Sequence, residues 1–193
     1  MAKGTYGAYH FIKEAWKNPD EKVLRERMIE WRKDDSLVKV DKPLRLDRAR
    51  SLGYKAKKGF VIIRVKLKRG GHKRSRPIKG RRSKRMHTRK NLKMNYQWIA
   101  EQRAEKKYTN LVALNSYKIG KDGIHYFFEV IMVDPLRPEI SNDKTLNFLT
   151  KKTNQKRAMR GLTSAAKKSR GLRKKGPLLK VRPSAQSRGH KGK

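Results

Sequence analysis

The sequence predicts an α+β fold, a small antiparallel sheet packed with helices, that carries long basic extensions. Apolar residues recur at helical spacing in segments 6–17, 18–33 and 96–107. They alternate with basic residues over 60–68, and a turn bounded by glycines joins two apolar segments within 111–135. Most of the remaining chain is basic and without periodicity, which is typical of segments that do not build a core of their own.

Two helices are predicted near the start of the chain. The apolar spacing predicts a first helix over 6–17. Asn18 is the predicted N-cap of the second helix, with Pro19 in its first turn, and this helix extends to about residue 33. Trp16 and Trp31 lie within these patterns, so both are predicted to pack in the core.

The predicted strands differ in how much of their surface is apolar. Segment 60–68 has one apolar and one basic face, because successive side chains of a strand point to opposite sides; the apolar face holds Val61, Ile63, Val65 and Leu67. The glycine-bounded turn at 120–123 predicts a hairpin. Its second strand, 126–133, is apolar at nearly every position except Glu129, so both faces are expected to be covered. One more short element is predicted around Leu146 and Leu149.

The positive charge is concentrated in two acid-free segments. The chain carries 54 Lys and Arg against 16 Asp and Glu, a net charge of +38. Residues 48–100 hold 20 basic residues and 144–193 hold 17, and neither segment contains an acid. A solvated helical face would intersperse both signs for i,i+4 pairing, so this pattern favours tracts that bind a polyanion. The candidate polyanions are nucleic acid, an anionic membrane surface and an acidic protein.

Several classes of protein are disfavoured. The longest apolar runs hold four residues, whereas a membrane-spanning helix needs about 20. With no cysteine and no signal-peptide pattern, the sequence predicts a soluble intracellular protein, without a disulfide framework or thiolate zinc site. The histidines are scattered, and no catalytic motif is present. Paired acids have structural interpretations: 20–21 begin a helix, 34–35 end one, and Glu101 with Glu105 lie on an exposed helical face. No enzyme, metal or cofactor is therefore predicted.

Arginine dominates the middle of the first segment, and a planar guanidinium that grips phosphate and stacks on unpaired bases suits irregular RNA. The predicted RNA-binding residues are Arg48, Arg50, Lys55, Lys57, Lys58, Arg64, Lys66, Lys68, Arg69, His72, Lys73, Arg74, Arg76, Lys79, Arg81, Arg82, Lys84, Arg85, Arg89, Lys90, Lys156, Arg157, Arg160, Lys167, Lys168, Arg170, Arg173, Lys174, Lys175 and Arg182. A protein that coats any polyanion, and an RNA-modifying enzyme with an unrecognised site, remain as alternatives.

Longer motifs carry a family resemblance. RLDRARSLGYKAKKGFVI (45–62), LNSYKIGKDG with FFEVIMVDP (114–135) and RGLTSAAKKSRGL (160–172) resemble the archaeal and eukaryotic large-subunit ribosomal protein fifteen-e family. AYHFIKEAWKNP (8–19) and VRPSAQSRGHKGK (181–193) extend the resemblance, and the short tail is closer to the archaeal branch.

The resemblance implies an antiparallel α+β domain whose extensions penetrate and are ordered by large-subunit ribosomal RNA. It implies a structural and assembly role in the cytoplasmic large ribosomal subunit, beside neighbouring ribosomal proteins, with no membrane and no small-molecule substrate. The expected organisation is 1–69 for the first helices and strand, 70–92 for a basic arm, 93–150 for the helix and hairpin that complete the core, and 151–193 for a basic C-terminal extension.

Overall fold

The apolar segment near residue 130 forms the centre of a four-stranded antiparallel sheet. In the computed structural model, which describes residues 6–70, 79–80 and 94–173, the strands are β1 (Leu37–Val40), β2 (Phe60–Lys68), β3 (Val112–Lys121) and β4 (His125–Val133). Their order is β1-β2-β4-β3, and every neighbouring pair is antiparallel. The predicted α+β class and the hairpin between β3 and β4 are therefore confirmed.

Helices connect these strands and cover them. They are α1 (Ala8–Ala15), α2 (Glu21–Lys33), α3 (Leu46–Ser51), α4 (Tyr96–Lys107), α5 (Pro138–Ser141) and α6 (Ser164–Ser169). Two short 3₁₀ helices, Asn147–Thr150 and Lys152–Asn154, follow α5. Leu149 is fully buried in the first of them, so the short element predicted there is confirmed.

Both faces of the sheet are covered by apolar side chains. On one face, Phe127 and Ile131 of β4 pack in a cluster that includes Trp31 of α2. On the other, Val130 packs in a cluster that includes Ala100 of α4. Because successive residues of β4 feed opposite clusters, its unbroken apolar pattern is explained, and the expectation that both its faces are covered is confirmed.

The basic face predicted for β2 is not an open surface. Ile62 lies on the same side of the strand as Arg64 and is only 2% exposed. The Arg64 guanidinium pairs with Asp34 at the end of α2 (Nη2 to Oδ2, 2.5 Å) and lies 5.5 Å from the centre of the Trp31 ring. The alternation of apolar and basic residues in β2 was predicted correctly. The pattern of the strand alone does not predict that α2 packs on its basic face.

Two details of the first helices differ from the prediction. The N-cap of α2 is Asp20, whose Oδ1 accepts a hydrogen bond from the Lys22 backbone N–H at 2.9 Å, and not Asn18. None of the residues of α1 is buried, and Phe11 is 62% exposed, so α1 is not a core helix as expected. Trp31 is buried as predicted, whereas Trp16 is only partly covered.

The start of β2 requires a glycine. Gly59 has φ +92°, in the left-handed region that L-residues with a side chain rarely adopt. A Cβ atom there would lie 2.7 Å from Cγ1 of Ile140 in α5. The absence of a side chain lets the loop before β2 pass close to α5, whose Ile140 is fully buried.

Part of the segment assigned to the C-terminal extension packs on the core. Ala158 and Ala166 are fully buried and Ala165 nearly so. Ala158 belongs to the cluster beside α4, and the Trp98 indole Nε1–H donates to its carbonyl at 2.6 Å. The structure thus places residues 156–169 on the fold, within the segment expected to form an extension from residue 151.

Candidate nucleic-acid interface

The described ends of the basic segments meet at one place on the fold. The Gly70 backbone N–H, where β2 leads into residues 71–93, donates to the Tyr96 hydroxyl at 3.0 Å. Residues 71–93 rejoin the described chain just before α4, where the Asn95 backbone N–H donates to Ser169 Oγ of α6 at 2.9 Å. Residues 71–93 and 174–193 are therefore connected to the same end of the fold.

Side chains reinforce this junction. Asn95 accepts a hydrogen bond from the Trp98 backbone N–H at 2.7 Å, which caps α4, and its Nδ2 donates to the Ala165 carbonyl at 3.0 Å. On α6, Ser164 Oγ accepts from Arg173 Nη2 at 2.6 Å, at the last residue before the 174–193 segment. One asparagine thus fixes the start of α4 and the position of α6 together.

An aromatic and cationic cluster lies beside the junction. The Tyr126 ring has the Arg69 guanidinium 4.8 Å and the Lys118 ammonium 5.1 Å from its centre. The Tyr96 ring lies 4.8 Å from the Tyr126 ring, centre to centre. Burial lowers the pKa of Lys118, as do the nearby cations Lys121 and Arg69. Lys118 and Lys121 were not predicted as site residues, because both lie in the nearly neutral segment 101–143.

Two buried glutamates of α4 hold the C-terminal segment against this end of the fold. Glu105 accepts from the backbone N–H groups of Ala113 at 3.1 Å and Ala158 at 3.0 Å. Glu101 accepts from Ser116 Oγ and from Thr163 Oγ1, each at 2.5 Å. Glu101 is 0% and Glu105 5% exposed, so the exposed helical face predicted for this pair is wrong.

The protonation of this buried site is set mainly by its desolvation. Burial raises the pKa of Glu101 to about 7, with the nearby Glu105 carboxylate acting in the same direction and the hydroxyls of Ser116 and Thr163 acting against it. Burial also lowers the pKa of Arg157, while Glu105 and Glu101 oppose that shift. Arg157 donates to the Ala113 carbonyl at 3.3 Å, so its partly buried guanidinium has a partner in β3.

Several predicted RNA-binding residues make contacts within the protein. Lys55 and Lys57 both bind Asp143, at 2.6 and 2.7 Å, and these contacts lower the pKa of that carboxyl far below its usual range. Lys66 Nζ donates to the carbonyls of Arg32 at 2.8 Å and Asp34 at 2.6 Å. These three lysines stabilise the junctions between elements.

Four predicted arginines also have protein partners. Arg50 donates to the Tyr9 hydroxyl and lies 5.4 Å from the centre of its ring. Arg69 donates to the Asp122 carbonyl. Arg160 donates to the Gln155 carbonyl, and Arg170 Nη1 donates to the Gly161 carbonyl at 2.9 Å.

A second group of predicted residues is exposed and makes no side-chain hydrogen bond or ion pair within residues 6–70, 79–80 and 94–173. It consists of Arg48, Lys58, Lys68, Lys79, Lys156, Lys167 and Lys168. Lys167 and Lys168 lie on α6, at the junction itself. These cations are available to a polyanion without breaking a contact of the fold.

The other predicted site residues lie outside the described residues. They are His72, Lys73, Arg74, Arg76, Arg81, Arg82, Lys84, Arg85, Arg89, Lys90, Lys174, Lys175 and Arg182. Their assignment stays a prediction from the acid-free composition and from the resemblance.

A further cationic groove was only partly anticipated. A cavity of about 500 Å³ between α1 and α3 is lined by Lys13, Arg45 and Arg48, with Tyr9 at one side. Asp47 also lines it and pairs with Arg45 at 3.3 Å. Only Arg48 of these was predicted, because Lys13 and Arg45 stand in the mixed-charge segment 1–47. The Arg45 guanidinium also lies 5.1 Å from the centre of the Trp16 ring, which explains part of the coverage of that side chain.

Within the described part of the chain, no group of three or more His, Cys, Asp or Glu could hold a metal ion. None of the helices there is long and apolar enough to cross a membrane.

A comparison with known families identifies the family of this chain. The model of a family described as Ribosomal L15 (Ribosomal L15e) matches residues 7–189, which include every strand and helix above and most of both acid-free segments. The chain therefore belongs to the ribosomal L15e family, whose members are structural proteins of the large ribosomal subunit and not enzymes.

Proposed function

We propose that this protein binds and stabilises large-subunit ribosomal RNA through its two acid-free segments and thereby supports assembly of the subunit and translation. The folded part holds the segments in place, and neighbouring ribosomal proteins are its other partners. No cofactor takes part. We further propose that it belongs to the archaeal branch of the family and acts in the cytoplasm.

The observation that carries the proposal is that the two segments are attached to the same end of the fold. At one end of the sheet, the Gly70 N–H donates to the Tyr96 hydroxyl, and the N–H of the adjacent Asn95 donates to Ser169 Oγ. Two polycationic chains that start side by side repel each other, and this repulsion is removed only when a polyanion neutralises both. A single folded RNA provides phosphates for both segments at once and releases the counterions bound to them.

The arrangement of acids supports the same conclusion. Several acids of the described chain are already occupied by protein groups, including Asp34, Asp143 and the buried Glu101, Glu105 and Glu129. These acids therefore act within the fold, as ion-pair partners or as hydrogen-bond acceptors. The exposed cations, in particular Lys167 and Lys168 beside the junction, then present a positive surface to RNA.

Co-sedimentation combined with cross-linking tests the proposal. Tagged protein expressed in cells should stay with the large subunit through a high-salt wash, because threaded segments cannot dissociate one contact at a time. Ultraviolet cross-links from residues 72–90 and 174–193 should map to large-subunit RNA, at positions close to each other in the folded RNA.

A matched pair of variants sharpens the test. Replacement of Lys167 and Lys168 with Gln should weaken retention, whereas replacement of Lys22 and Arg25 should not, since acids flank that pair on α2. A protein that coats any polyanion would instead be removed by the wash and would cross-link equally to small-subunit RNA. That result would overturn the proposal.

A further inference from the structure

A cavity of about 400 Å³ opens on the side of the fold where α4 ends and β3 begins. Its apolar wall contains Leu111 and Val112, which are nearly buried, together with Leu136 and Met159. Leu136 is 87% and Met159 50% exposed. Large apolar side chains exposed together at a concave site are typical of a binding surface, and the volume is within the usual range for small ligands.

Polar groups without a partner line the same cavity. The side chains of Thr109, Asn110 and Gln155 are exposed at its wall. Within the described residues these three side chains make no hydrogen bond. The two amides each offer a donor and an acceptor at neighbouring positions, which is the pattern that pairs with the edge of a nucleobase.

The charges at the cavity favour an anionic ligand. Lys106 and Lys156 line it, both are exposed, and neither is paired with an acid in the described part of the chain. Glu105 also lines it, but three backbone N–H groups, including those of Ala158 and Met159, already bind its carboxylate. Lys156 has φ +51°, a conformation that is uncommon for a residue with a side chain and recurs at functional sites.

We propose that this cavity binds one unstacked nucleobase of the RNA, with the adjoining phosphates at Lys106 and Lys156. Leu136 and Met159 would cover the face of the base, and Asn110 and Gln155 would pair with its edge. An apolar side chain from a neighbouring protein would fill the volume but leave both amides and both lysines without partners. A base with its phosphate satisfies all of them, so RNA is the favoured occupant.

The inference rests on the proposed function only in that RNA supplies the base, and it can be tested without the basic segments being engaged. The full-length protein, labelled with ¹³C at its methionine methyl groups, is titrated in high salt with AMP and, separately, with ribose 5-phosphate and N-acetyl-leucine amide. AMP should shift the Met159 methyl resonance through the ring current of its base. Ribose 5-phosphate should not. The methyl groups of Met28 and Met132, which pack in the core, are internal references.

A variant that fills the cavity provides the matched control. Thr109→Trp should weaken the AMP response by about ten-fold, comparable to the loss of a good base contact. Thr150→Trp, at an exposed position outside the cavity, should leave it unchanged. Equal shifts with AMP and ribose 5-phosphate, no shift of Met159, or a shift with the leucine amide alone would each overturn the proposal. The titrations of the wild-type protein show whether the cavity binds a nucleobase even if a variant fails to fold. The test is also independent of retention on the subunit, so the two proposals can fail separately.

Discussion

At the scale of single residues, buried glutamates organise a protein whose surface is strongly basic. Glu129, at the centre of β4, is 1% exposed and accepts from the Tyr117 hydroxyl and from the Leu44 backbone N–H at 3.1 Å. Burial raises the pKa of Glu129, and it also raises that of Tyr117, with Glu129 acting in the same direction. The Tyr117 hydroxyl therefore stays protonated and donates to Glu129. Three separate parts of the chain meet at this one carboxyl group.

Glu101 should make the stability of the fold depend on pH. Its pKa is about 7 in the folded protein against an ordinary value of 4.5, so the folded state binds more protons between these values. The free energy of unfolding should then fall as pH rises through this window, by about 2–4 kcal/mol from this group. In Glu101→Gln that part of the slope should vanish. Urea denaturation from about pH 4.5 to about pH 7.5 measures it, and parallel curves for the two proteins would show that Glu101 is not the group responsible.

Arg64 should contribute to folding, in contrast to an exposed lysine of the same strand. Arg64→Ala removes the 2.5 Å contact with Asp34 and the packing over Trp31, so we expect a loss of about 1–2 kcal/mol in unfolding free energy. Lys68→Ala, at an exposed position of β2, should cost less than about 0.5 kcal/mol. Thermal unfolding followed by circular dichroism compares them. Equal costs would mean that the Arg64 contacts add nothing.

At the scale of elements, α4 connects the sheet to the C-terminal segment. Its inner face supplies Ala100 and Ala104 to the core and Glu101 and Glu105 to residues 156–166. The alanines let the neighbouring chain approach closely, and the carboxylates bind its N–H and O–H groups. The helix thus places α6 next to Asn95, where the 71–93 segment rejoins the fold.

Glu105→Gln should loosen this connection. A glutamine offers one acceptor oxygen where the carboxylate has two, and its NH₂ group would face an N–H donor, so a buried N–H remains unpaired at a cost of about 1–3 kcal/mol. Amide hydrogen exchange of Ala158 and Met159 should accelerate, whereas that of Val130 in β4 should change little. Glu30→Gln, at an exposed position of α2, is the control. Unchanged exchange at Ala113, Ala158 and Met159 alike would show that packing alone holds the segment.

The sequence was most informative where an element is long and strongly patterned. β2, α4 and the β3–β4 hairpin were predicted within one or two residues. β2 and α4 have a periodic apolar pattern, and the hairpin has a glycine-bounded turn followed by a long apolar strand. The four-residue strand β1 and the short helices α3, α5 and α6 were not predicted, since such short elements form only through tertiary contacts. The packing of residues 156–169 on the fold was not predicted, because small alanines, not large apolar side chains, are the residues they bury.

At the scale of the whole molecule, charge composition predicted the kind of partner but not the role of each cation. Lys55, Lys57 and Arg157 belong to acid-free segments in the sequence, yet they bind Asp143 or the Ala113 carbonyl in the fold. A linear count assigns them to a ligand because their protein partners come from distant positions in the chain. The junction at Gly70, Asn95 and Ser169 was not predicted from the sequence either, since it depends on how the sheet and α4 bring separate segments together.

The salt dependence of RNA binding should report how many cations of the C-terminal segment act. Residues 174–193 contain seven Lys and Arg and no acid. Each phosphate contact makes the slope of log affinity against log salt concentration more negative by about 0.7–0.9. A chain that ends at Arg173 should therefore bind a large-subunit RNA fragment with a slope that is less negative by at most about five to six. The folded part should remain intact, because the described contacts of α6 all lie before that point.

Filter binding or fluorescence anisotropy over a series of salt concentrations measures this slope for the full and shortened chains. Replacement of Lys22 and Arg25 with Gln is the control, and the slope should change by less than about one, because neighbouring acids already offset those charges on α2. A shortened chain with an unchanged slope would mean that the segment does not contact phosphate. RNA binding would then rest on residues 48–100 and on the exposed cations of α6, and the adjacency of the two segments would need another explanation.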